Sequence, residues 1–140
     1  MNKIFISILL IFIILFNQII KLNANDDTYI NSSNITYNEK ENIVELSKNS
    51  KINFKNTNIL IDKGIIDYNK NEFEVFGNFY LYEELTILSG ENLKGDTSLN
   101  TFTANNVSYI YNDDLKIDSD NIDRKNNVIY LYNNFKFGKG

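Results

Sequence analysis

From Asn25 onward, apolar side chains recur at every second position in short runs. Val44 and Leu46 alternate with Glu45, Ile52 and Phe54 with Asn53, Phe73 and Val75 with Glu74, and Phe79 and Leu81 with Tyr80. The same spacing returns in Leu85 and Ile87, Leu115 and Ile117, Ile129 and Leu131, and Phe135 and Phe137. A period of two puts alternate side chains on one face of an extended chain, so each run predicts a half-buried strand. Ile59, Leu60 and Ile61 are apolar without a break and predict a strand buried on both faces. Polar clusters separate the runs: Asn38-Glu39-Lys40, Lys55-Asn56-Thr57-Asn58, Asn69-Lys70-Asn71, Ser89-Gly90-Glu91, Asn112-Asp113-Asp114 and Lys125-Asn126-Asn127. Their Asn, Asp and Gly content predicts turns. Strands spaced by roughly eight to twelve residues predict an all-β, antiparallel sandwich or barrel-like fold.

A longer period overlies this alternation. Ile66-Asp67-Tyr68-Asn69 leads through a polar turn to Phe73-Glu74-Val75 and Gly77-Asn78-Phe79, and Ile122-Asp123-Arg124 leads likewise to Ile129-Tyr130-Leu131 and Asn133-Asn134-Phe135. An earlier copy runs from Ile35 to Asn49, and a degenerate one lies between Leu93 and Tyr109. A repeat of about thirty residues predicts stacked supersecondary units. Gly77-Asn78 and Asn133-Asn134 hold equivalent places, and both residue types tolerate a left-handed backbone, so each predicts a sharp corner or bulge.

The chain before Asn25 is built differently. Met1-Asn2-Lys3 is followed by an apolar run from Ile4 to Phe16 with Ser7 as its one polar residue, then Asn17-Gln18 and the small-residue site Leu22-Asn23-Ala24. This layout predicts a signal peptide over residues 1–24 and an exported domain over residues 25–140. An uncleaved anchor is the alternative, because Ile19-Ile20 extend the apolar span. Either leader exports the remainder, and a two-membrane Gram-negative envelope suits it.

Composition narrows the chemistry. There is no His and no Cys among the 140 residues, which removes imidazole bases, thiol nucleophiles and the usual zinc ligands. No catalytic, cofactor-binding or metal-binding residue is assigned. Fourteen Lys and Arg against eighteen Asp and Glu, with no basic stripe, argue against nucleic acid as a partner. Asp113, Asp114, Asp118 and Asp120 lack the spacing, turn Gly and closing Glu of an EF-hand and predict solvated turn and strand charges. Glu83, Glu84 and Glu91 are candidates for paired glycosidase carboxylates, against which stands their place beside turns.

The stretches from Ile59 to Leu81 (ILIDKGIIDYNKNEFEVFGNFYL) and from Leu115 to Phe137 (LKIDSDNIDRKNNVIYLYNNFKF) resemble the OstA-like domain family of lipopolysaccharide transport. That family includes the periplasmic bridge LptA, the related LptC and the N-terminal domain of LptD. Two departures are visible: Lys48 stands where a Gly is usual, and Asn105-Asn106 lack theirs. The resemblance implies an open antiparallel β-jellyroll whose inner faces form an apolar groove for the acyl chains of lipid A. It implies edge-to-edge pairing with other OstA-like jellyrolls and a place in the periplasm or at the outer membrane. On that implication the groove residues are Val44, Leu46, Ile59, Ile61, Phe73, Val75, Phe79, Leu81, Ile87, Ile129 and Leu131. Within the family, Tyr132-Asn133-Asn134-Phe135 resembles the run that leads out of the LptD N-terminal domain, with a stand-alone LptA-like bridge as the alternative. Outside the family, the same pattern fits an exported β-sandwich with a closed core that binds glycans or proteins.

Overall fold

The alternating runs become strands, and no helix interrupts them among the described residues. The structure is a computed structural model that describes residues 28–139, so the signal peptide expected over 1–24 lies outside it. In chain order the strands are β1 (Thr28–Asn31), β2 (Asn34–Asn38), β3 (Ile43–Phe54), β4 (Thr57–Asp67), β5 (Glu72–Val75), β6 (Asn78–Glu83), β7 (Thr86–Asp96), β8 (Phe102–Tyr111), β9 (Leu115–Lys125), β10 (Val128–Tyr132) and β11 (Lys136–Lys139). All pairings are antiparallel.

The long strands change partners midway, and this folds one hydrogen-bonded sheet into two facing layers. The C-terminal half of β3 pairs with β1 and its N-terminal half with β2. The two halves of β4 pair with β6 and β5, as do those of β7. β9 pairs first with β11 and then with β10. The first layer therefore runs β1, β3, β4, β6, β7, β8, β9, β11, and the second β2, β3, β4, β5, β7, β8, β9, β10. This is an all-β antiparallel fold, as the sequence pattern predicts, and the two-layer jellyroll that the resemblance implies.

Burial shows how a strand keeps one face inward on both sides of the corner. In β8, Phe102, Ala104 and Val107 are buried, and in β9, Ile117, Ser119 and Ile122. The alternation slips once in each strand, where the chain crosses between layers. Left-handed backbone supplies the slip at Lys48 and Asn49 in β3, Asn92 in β7 and Asn106 in β8. Gly77 between β5 and β6, with Asn133 and Asn134 between β10 and β11, does the same. The corners expected at Gly77 and at Asn133-Asn134 are present, and Lys48 and Asn106 turn the chain without the Gly that the repeat lacks there.

The corner carries its own hydrogen bonds. Asn133 Nδ2 donates to Asn121 Oδ1 at 2.8 Å, and Asn121 Nδ2 to Asn105 Oδ1 at 3.3 Å. Asn134 Nδ2 donates to Asp120 Oδ2 at 2.9 Å and Asn106 Nδ2 to Glu91 Oε2 at 3.1 Å. The buried Ser119 hydroxyl donates to the Tyr132 carbonyl at 2.7 Å. The first four bonds join side chains to one another along the corner, and the Ser119 hydroxyl serves a backbone carbonyl there.

Two expectations change. Ser89-Gly90-Glu91 is the corner of the continuous strand β7 and makes no turn between strands; the β7–β8 register shifts there. Gly is needed for space: a Cβ at Gly90 would lie 2.8 Å from both the Asn105 carbonyl oxygen and Val107 Cγ1. The second change is Leu60, which is 39% exposed on the outer face of β4, so that strand is buried on one face only. A tight backbone approach at Gly90 predicts that Gly90→Ala lowers unfolding free energy by about 1–3 kcal/mol in urea titrations. Gly138→Ala, with nothing within 4 Å of its Cβ position, stays within about 0.5 kcal/mol of the parent.

Candidate functional site

The inner faces of the two layers meet in one apolar cluster. Of the residues assigned to a groove, Val44, Leu46, Ile59, Ile61, Phe73, Val75, Phe79 and Leu81 all belong to it and are at most 7% exposed. Ile129 and Leu131 on β10 face the same cluster but are only partly buried, because β10 is an edge strand with one partner. Ile87 is placed elsewhere. Thr86 and Leu88 are the inward residues of that segment, and Ile87 sits between Tyr82 and Ile110 on the outer face. A one-residue slip reverses a strand's faces, and Leu88 directly after Ile87 left both registers open in the sequence.

Several interior residues lacked an alternating signal. Leu93, Phe102 and Ile122 are each buried to 1% exposure or less, yet each stands among polar neighbours in sequence. They lie close to the corner or to strand ends, where the period of two is interrupted. Ile52 and Phe54 carried the signal and are buried as well.

On the side away from the corner, the strand ends of the two layers approach each other and form a mouth. Phe54 of the first layer meets Phe73 of the second with ring centroids 5.3 Å apart. Beside them, Arg124 on β9 makes a two-pronged ion pair with Glu83 at the end of β6, at 2.7 and 3.0 Å. The guanidinium lies 4.9 Å from the centre of the Phe102 ring. Its Nε is buried without a hydrogen-bond partner. A cavity of about 380 Å³ opens here, lined by Phe54, Lys55, Asn56, Thr57, Glu83, Ser98, Leu99, Arg124 and Asn127. The interior is apolar, and this mouth is where charge reaches its rim.

The edges continue the inner faces outward. Ile35 and Tyr37 of β2 stand opposite Leu46 and Val44 in register, and Phe137 of β11 stands opposite Ile117. All three are about half exposed or more, with Phe137 at 68%. β1, β2, β10 and β11 each pair with one strand, so both ends of the jellyroll present backbone donors and acceptors along an edge.

The carboxylates considered from sequence are dispersed. Glu83 is engaged by Arg124, Glu91 accepts from Asn106, Asp118 lies 3.9 Å from Lys116 Nζ and Asp120 accepts from Asn134. Among the described residues no three carboxylates are grouped in a way that would hold a metal ion.

No protein-family model matches the chain, and no curated protein does. Its fold matches that of LptH from Pseudomonas aeruginosa, described as the LptA-homologous periplasmic component of the lipopolysaccharide transport device. The two superpose with a TM-score of 0.69 over 81% of this chain and 95% of LptH, at 8% sequence identity. The OstA-like jellyroll implied by the resemblance is thus the fold adopted, although the two sequences share few residues.

The inward and outward assignments are separable by stability. Phe73→Ala is expected to cost about 3–5 kcal/mol through lost burial and a cavity in the core. Ile87→Ala on the outer face is expected to cost less than about 1 kcal/mol. Urea unfolding of both variants checks the pair.

Proposed function

We propose that this chain is an exported, non-enzymatic component of lipopolysaccharide transport that guides the acyl chains of lipid A between its two layers. The observation that carries this reading is the LptH-like jellyroll with an interior lined by apolar side chains from both inner faces. Burial of apolar surface drives such binding without covalent chemistry. The described interior is filled by side chains, so an acyl chain enters as the layers move apart at the mouth or beside the half-buried Ile129 and Leu131. Of the residues expected to line a groove, all but Ile87 face this interior.

The edges suit assembly. Strand addition at β1 and β2, or at β10 and β11, would join the interior of one jellyroll to that of another OstA-like domain and extend an apolar path towards the outer membrane. Ile35, Tyr37 and Phe137, inward-facing and exposed at those edges, would be covered in the joint. Two settings fit this role. The first is the N-terminal periplasmic domain of an LptD-like assembly protein, and the second is a stand-alone LptA-like bridge.

A second reading, an exported sandwich that binds glycans or proteins on its outer face, draws on Tyr80 and Tyr82. Their rings stack 6.4 Å apart beside the exposed Leu60. Photo-crosslinkers distinguish the two. Placed at Phe73, Val75 and Leu131 in cells making lipopolysaccharide, they are expected to capture it, while Glu74 and Tyr130 on the opposite faces do not. Capture confined to outer positions such as Tyr80 would refute the transport reading.

A further inference from the structure

The mouth holds one feature that a closed apolar core does not require. Arg124 and Glu83 are charged, belong to different layers and lie over the edge of the core, with side-chain exposures of 12% and 25%. Burying such a pair costs desolvation that its attraction offsets only with good geometry and full hydrogen bonding. Here the geometry is good but the bonding is incomplete. The guanidinium gives two short bonds to Glu83 and a long one of 3.4 Å to the Leu99 carbonyl, and Nε donates to nothing. Glu83 is less enclosed than its partner and also lines a second cavity with Glu84, Leu85 and Thr86, so its carboxylate has open space beside it.

The surroundings of Arg124 match one class of ligand. Phe54 and Leu99 give the cavity an apolar floor, Lys55 adds a second cation, and Asn56 and Asn127 add amides. A guanidinium recognises phosphate and carboxylate in the same two-pronged way, so a phosphate group can replace Glu83 on Arg124 with its bonding geometry retained. The Phe102 ring under the guanidinium keeps that fork oriented during the exchange.

We propose that the mouth is an anion-recognition subsite, in which Arg124 exchanges Glu83 for the phosphate of an amphiphile whose acyl chain enters between the layers. This rests on the transport reading and adds the head-group chemistry to it. Glu83 is an internal stand-in for the ligand's anion. Its release unfastens the two layers at the point where the chain must pass.

The test uses dodecyl phosphate and dodecyl maltoside below their micellar concentrations, titrated into the protein and followed by calorimetry. The same apolar tail carries an anionic head in one probe and a neutral head in the other. The parent is expected to bind the phosphate more tightly. Glu83→Gln, which removes the competing charge, should tighten dodecyl phosphate about tenfold and leave dodecyl maltoside unchanged. Arg124→Gln should abolish the preference, and Arg124→Lys should retain only part of it. If both probes respond equally to Glu83→Gln, the pair is merely a strap between layers and the proposal is wrong. Should Arg124→Gln not fold, the response of Glu83→Gln to the two heads still decides. Binding of dodecyl maltoside alone overturns the subsite and spares the transport reading. Binding of neither probe to the parent removes both.

Discussion

A strand that serves two layers must bend without losing its ladder; left-handed residues at the corner permit it in β3, β7 and β8, while β4 and β9 cross without one. β3, β4, β7, β8 and β9 each cross from one layer to the other, and each must present apolar side chains inward before and after the crossing. An unbroken period of two cannot do this, because the bend turns the inner face through the corner. One slip in the alternation restores it. Where Gly is absent the position is taken by Lys48 in β3 and otherwise by Asn, whose short amide side chain keeps the conformational cost small. The Asn133, Asn121 and Asn105 side-chain amides hydrogen-bond to one another along the same line. With no Pro in the sequence, no residue lacks the backbone N–H that these ladders use.

Everything on the inner side follows from that corner. Its slips bring Phe79 and Leu81 from one layer and Phe73 and Val75 from the other into a single apolar cluster. Opposite the corner, the strand ends of the two layers are joined by the Phe54–Phe73 contact and the Arg124–Glu83 pair. A jellyroll built this way has a corner rich in amides, a mouth joined by a ring contact and an ion pair, and two open edges. In the transport role proposed above, these features would serve to take up a long apolar chain and hand it on.

Much of this architecture was legible in the sequence, and the exceptions share a physical origin. Strand positions followed from alternation, and the corners at Gly77 and Asn133-Asn134 from the recurrence of turn-tolerant residues at equivalent places in the repeat. Ser89-Gly90-Glu91 misled because the composition of a strand corner is also that of a hairpin turn. Ile87 misled because two adjacent apolar residues leave the register undecided, and Leu88 took the inward place. Leu60 read as buried because an apolar outer face and a doubly buried strand look alike in sequence. The Arg124–Glu83 clamp had no local signal, since its partners are 41 residues apart and meet only when the layers face each other.

The central claim is that lipid enters between the layers and moves them apart. Because the chain has no Cys, spin labels can be attached singly at Tyr80→Cys on the outer face of the first layer and Thr103→Cys on that of the second. The distance between them, measured by pulsed electron paramagnetic resonance with and without lipopolysaccharide, should lengthen by up to about half the ~10 Å spacing of packed sheets. An unchanged distance in a protein that has demonstrably bound lipopolysaccharide would contradict the account.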